Sequence, residues 1–120
     1  MRDENYCTIG GRITHDPAIY NTQQQGQLLS FSIAHHSNYP DRNTAVFFEV
    51  KVSGASDRTK LAEFATRLSK GRKVTVHNAE LQLKRWKPSD SDETKTSHHL
   101  FCRMDQIFLH EVPRVSSAQA

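Results

Sequence analysis

The segment Lys84-Arg85-Trp86-Lys87 sets the only tryptophan of the chain among three cations at the end of a strand-like run. A core tryptophan normally has apolar neighbours, and this one does not. Tyr39 ends the run 27–39 beside Pro40-Asp41-Arg42, and Phe47 falls out of phase with the apolar residues that follow it. Flat rings stack on other flat rings, and Lys and Arg hold phosphate oxygens. Rings and cations in the same segments therefore point to unpaired nucleic-acid bases. A subunit interface or a second small core would use an exposed Phe47 equally well.

Other chemistry has little support. Seven histidines invite a metal or a catalytic base. The adjacent pairs His35-His36 and His98-His99 lie on strand-like runs, where neighbours point to opposite faces and do not chelate together. No HExxH, CxxC, GxSxG or phosphate-cradling glycine loop occurs. Asp90, Asp92 and Glu93 fall in a segment that reads as a solvated loop. The expectation is a binding protein, not an enzyme, with no metal and no cofactor.

At 120 residues the chain is long enough for one domain with one core. The 36% hydrophobic fraction and mean hydropathy of −0.68 imply a small core under a polar surface. A net charge of +3 and a pI near 9.0 permit a polyanion partner without requiring one. Cys7 and Cys102 have neither metal spacing nor a disulfide framework; both sit in apolar patterns and read as reduced and buried, which suggests the cytoplasm. No apolar run approaches a membrane span, and residues 1–5 lack the hydrophobic region of a signal peptide. A soluble, cytosolic protein away from the membrane is expected.

The elements that must position these residues follow from periodicity. In 27–36, Leu29, Phe31 and Ile33 alternate with Ser30, Ser32 and Ala34: one dry face and one small, wettable face. In 45–53, Phe48, Val50 and Val52 make the dry face, leaving Phe47, Glu49, Lys51 and Ser53 on the other. Residues 6–13 read as a strand with a bulge or bend at Gly10-Gly11, and 14–26 as an exposed loop. Leu61, Phe64, Ala65 and Leu68 recur at helical spacing, predicting one helix over 57–70, capped by Ser56 or Asp57 and stopped by Gly71. Residues 73–86 form a strand whose phase shifts near His77-Asn78-Ala79, a second bulge. Lys87–Thr96 is a loop, and 97–110 a long last strand. The fold class is mainly β. Five strands, with one helix between the third and fourth, is the order of an OB-fold barrel over residues 1–111. Residues 112–120 are a short, flexible tail.

This sequence resembles the DNA-binding domain of bacterial single-stranded DNA-binding proteins. Gly11-Arg12-Ile13 with Asp16-Pro17 and Tyr20, Phe31-Ser32-Ile33-Ala34, Phe47, the stretch Phe64 to Gly71, and Lys84-Arg85-Trp86 carry the likeness, collinearly over about residues 5–110. The resemblance implies an OB-fold homotetramer (or homodimer) that binds single-stranded DNA without sequence preference. It matches the family's stacking aromatics to Tyr39, Phe47 and Trp86, and its phosphate contacts to Lys70, Lys84 and Arg85. Charge and placement add Arg12, Lys51, Arg72, Lys73 and Lys87.

Departures from the family stand at Ser53, where it has a further aromatic, at Ala55, where a lysine is usual, and at Glu49, where a basic residue is frequent. The fourth strand has an extra residue near Asn78. These changes predict weaker or differently routed binding. The last nine residues contain no acid, so recruitment of replication partners through an acidic tip is not expected. The resulting expectation is protection of single-stranded DNA in replication, recombination or repair, in the cytoplasm and associated with the nucleoid. The alternative is a primosome-type OB-fold accessory that acts mainly as a protein–protein adaptor.

Overall fold

Alternation in the sequence becomes a closed ring of strands. The computed structural model describes residues 3–22, 26–36, 45–53, 58–87, 89 and 92–110. Its strands are β1 (Cys7–Ile13), β2 (Ala18–Thr22), β3 (Gly26–His36), β4 (Ala45–Ser53), β5 (Lys73–Trp86), β6 (Lys95–Arg103) and β7 (Ile107–Leu109), with helix α1 (Arg58–Ala65) between β4 and β5. The ring runs β1-β3-β4-β6-β5 and closes because β1 pairs with both β3 and β5. Among the described strands only the β4–β6 pair is parallel. Five ring strands with a helix between the third and fourth is the OB-fold that the sequence predicts.

Each dry face points into the ring. Leu29, Phe31 and Ile33 of β3 meet Phe48, Val50 and Val52 of β4, with Leu100 from β6 and Val74 and Val76 from β5. Helix α1 adds its apolar side to this core through Leu61. Burial of this kind contributes about 1.5–3 kcal/mol for each large side chain, so the ring is held mainly by these residues. Burial also pushes the Cys102 thiol up to about 12, which keeps it neutral. Both cysteines are free.

Gly11 is required where β1 enters the ring. A Cβ there would lie 2.6 Å from the Ala34 carbonyl oxygen. The predicted bulge in β5 is also present. Cys7 pairs with Ala79 but Ile9 pairs with Val76, and Asn78 sits at φ 52 to absorb the extra residue.

Three expectations need correction. The segment read as a loop over 14–26 contains β2, which pairs antiparallel with the first half of β3 from Ala18↔Ser30 to Thr22↔Gly26. Ala18, Ile19, Tyr20 and Asn21 are all exposed on this strand outside the ring, so it has no dry face for a period to reveal. The last strand is not continuous. After Arg103 a 3-10 turn, Met104–Gln106, redirects the chain so that β7 pairs with the start of β5. Gln106 holds this turn: its Oε1 accepts from the Arg103 amide at 2.7 Å and its Nε2 donates to the Asn78 carbonyl at 2.9 Å. Finally, α1 ends at Ala65, and the next residues continue as i→i+3 turns that still bury Leu68. Gly71 then adopts φ 89, a conformation that favours glycine. The caps expected at Ser56 and Asp57 lie outside the described residues.

Candidate nucleic-acid interface

On a strand that buries every second side chain, the others share the outer face. Register across the ring arranges these outward residues in rows. The first row runs Lys73, Arg12, Ala34, Phe47 over β5, β1, β3 and β4. Nearby on β6 and β5, Ser97 pairs with Lys84 and Lys95 with Trp86. The second row is Ser32, Glu49, His99, Gln82, and the third is Ser30, Lys51, Phe101, Glu80.

Phe47 and Trp86 therefore share the outward phase, and their rings are 59% and 44% exposed. Small neighbours leave Phe47 open, since Ala34 stands directly across from it. Lys73, Lys84 and Lys87 are exposed as the sequence reading requires, as is Lys70 in the turn after α1. Arg12 is exposed on the same row as Phe47 and donates from Nη1 to the Gly71 carbonyl at 3.1 Å, leaving most of its five N–H donors for a ligand. Tyr39 lies outside the described residues.

Three of the named cations stand differently. Lys51 Nζ is 3.1 Å from Glu49 Oε2 and donates to Ser30 Oγ at 3.0 Å; its side chain is only 18% exposed. Arg72 is half-buried and donates from Nε to the His110 carbonyl at 3.2 Å, tying the turn to the end of β7. Arg85 is exposed but pairs with Thr96 in the opposite phase, on the other side of the β5–β6 ribbon from Trp86 and Lys84. The sequence shows all three as cations in basic surroundings; register and pairing separate them from Lys84.

The structure also adds groups that the sequence reading passed over as site residues. Tyr20 is 54% exposed on β2, with Lys51 Nζ 5.9 Å from its ring centre. Phe101 stacks on His99 with ring centres 6.3 Å apart and planes at 20°. Tyr6, Phe101, Lys51 and Arg103 line a groove of about 820 Å³ at this end of the face. Phe101 sits out of phase with buried Leu100 and Cys102, the same signal that exposed Phe47. Tyr20 was hidden with β2.

His99 occupies the middle row. Burial lowers its pKa from the usual 6.5, Glu49 raises it, and Lys51, Lys84 and His98 lower it further. Three other histidines serve local structure: His35 Nδ1 lies 2.8 Å from the Gly10 carbonyl oxygen, His98 packs on Phe48, and His110 Nε2 lies 2.8 Å from Thr75 Oγ1. Among the described residues no group of three or more His, Cys, Asp or Glu is placed to hold a metal ion.

Comparison with known proteins bears on the family and the fold. Residues 4–107 match the single-strand binding protein family. Similar solved structures include the small single-stranded DNA-binding protein from Streptomyces coelicolor, with TM-score 0.64 at 18% identity, over 82% of this chain and 89% of that one. The Plasmodium falciparum SSB in complex with ssDNA gives TM-score 0.65 at 18% identity, over 94% and 98%. The mitochondrial single-stranded DNA-binding protein of S. cerevisiae gives 0.67 at 18% identity, over 93% and 100%. At this identity the structural likeness speaks for the fold. No curated protein sequence matches the chain.

Proposed function

This chain belongs to the single-strand binding protein family, and on that premise we propose that it binds and protects single-stranded DNA without a strict sequence requirement. The observation that carries the reading is the shared outward phase of Phe47 and Trp86, with Arg12, Lys73 and Lys84 exposed beside them. Bases stack on the two rings while the cations follow the phosphates. Tyr39 is the third ring of the proposed site, and Lys70 and Lys87 extend its basic margin.

Replication, recombination or repair is the proposed setting, because those processes expose single strands. A homotetramer or homodimer is the proposed assembly; Phe108, more than half exposed on β7, supports a subunit contact outside the stacking face. Two free cysteines support a reducing, cytoplasmic location. Sedimentation of the purified chain tests the assembly.

Titration with oligo-dT at several salt concentrations, followed by tryptophan emission, tests the function. Stacking quenches Trp86, and affinity falls as salt rises because phosphate contacts release counterions. Trp86→Ala weakens binding by about 1–3 kcal/mol, the range general to a stacked base, with the thermal transition unchanged. Tight binding of a protein partner together with salt-insensitive, unquenched oligonucleotide binding would favour the primosome-type adaptor.

A further inference from the structure

We propose that Glu49 reads base edges and gives this otherwise general single-strand site a preference for guanine. The inference rests on the single-strand reading above and concerns the same face. A carboxylate among phosphate-binding cations lowers affinity by repulsion unless something else uses it. This one is built in. Lys51 Nζ holds Oε2 at 3.1 Å and is itself held by Ser30 Oγ at 3.0 Å. His99 Nδ1 stands 4.0 Å from the same oxygen, and its Nε2 lies 2.8 Å from Ser97 Oγ, which fixes the ring. Both partners approach Oε2, and the Glu49 side chain still keeps 48% of its surface. The acid is oriented from one side and wet on the other.

Its position gives it a use. Glu49 follows Phe47 on the same strand and face, about 7 Å further along. The row Ser32, Glu49, His99, Gln82 lies beside that ring, and one in-plane orientation of a base stacked on Phe47 sets its Watson–Crick edge toward it. Ionised carboxylates only accept hydrogen bonds. Guanine offers two adjacent donors, N1–H and the N2 amino group, which one carboxylate accepts together. Adenine and cytosine offer one amino donor beside an acceptor. Thymine sets its single N–H between two carbonyl oxygens, which a carboxylate repels. Glu80, another acid on this face, stands a row away beyond Phe101 and accepts from Gln82 Nε2 at 2.6 Å, so it does not meet a base on Phe47.

Competition against a fluorescent thymidine oligonucleotide, read by anisotropy at fixed salt, tests the proposal. The competitors carry guanine or inosine at a few positions; inosine keeps the ring system and N1–H but lacks the amino group. The full chain is expected to bind the guanine competitor about tenfold more tightly than the inosine one, the scale of a bidentate base contact. Glu49→Gln, a conservative change at a half-exposed site, brings that ratio to about one and tightens the thymidine oligonucleotide. Equal binding of guanine and inosine competitors by the unaltered protein overturns the preference, as does a ratio that survives in Glu49→Gln. Failure to bind any oligonucleotide overturns the single-strand reading and this inference with it. Equal, tight binding of all of them overturns this inference alone.

Discussion

Phe47 and Phe48 are adjacent residues of the same type on β4, yet one ring is 59% exposed and the other 9%. Phe48 points into the ring between the imidazoles of His35 and His98. Phe47 points out over Ala34. A pleated strand allows nothing else, because successive side chains leave opposite faces. The same division separates Lys84 from Lys51. Both lie on the outer face, but Lys84 is exposed, whereas Lys51 is neutralised by Glu49 and fixed by Ser30. An exposed ring or cation is available for binding; a packed or paired one holds structure.

The largest test of that division is the pair of phenylalanine truncations. Phe48→Ala removes a core ring and is expected to lower unfolding free energy by about 3–5 kcal/mol. Phe47→Ala is expected to leave stability within about 0.5 kcal/mol while weakening oligo-dT by roughly 1–3 kcal/mol. Urea denaturation and anisotropy on both variants check this. Equal stability losses would erase the distinction between the two faces.

The lysines give a smaller effect. Lys84→Ala is expected to lower the slope of log affinity against log salt by about 0.7, the value for one phosphate contact on a single strand. Lys51→Met is expected to leave that slope unchanged, since its charge already faces Glu49. A slope that falls in both variants would show that Lys51 leaves its carboxylate when DNA arrives.

The smallest effect is on pH. Burial holds the His99 pKa below its usual 6.5, so the folded protein resists a proton that the unfolded chain accepts. His99 therefore contributes nothing adverse above about pH 6.5, and stability falls as pH drops below that value. Urea midpoints measured from pH 7.5 to 5 in the unaltered protein and in His99→Gln check the sign, with a flatter profile expected in the variant.

Much of this was legible in the residues themselves. Period-two alternation marked β3 and β4 and their inner faces, because a strand with one side in a core must place apolar groups at every second position. The same alternation marked Phe47 as outward, and the His77-Asn78-Ala79 phase shift marked the bulge in β5. Strand β2 was not legible, since a strand outside the ring and exposed from Ala18 to Asn21 has no dry side to print a pattern. The turn at Met104–Gln106 was also hidden, because Gln106 makes it by bonding to Arg103 and to distant Asn78.

The sequence by itself determined which residues go inside and which groups are aromatic or charged outside, since burial of apolar surface follows local period and composition. Only the tertiary structure decided which outward groups meet. Cross-strand register, set by the closing of β1 onto both β3 and β5, brought Arg12 and Lys73 into line with Phe47. It left Arg85 on the far side of its ribbon, and it set Ser30 of β3 across from Lys51 of β4. Those partners come from different strands of the ring, and their nearness depends on a closure that no local pattern encodes.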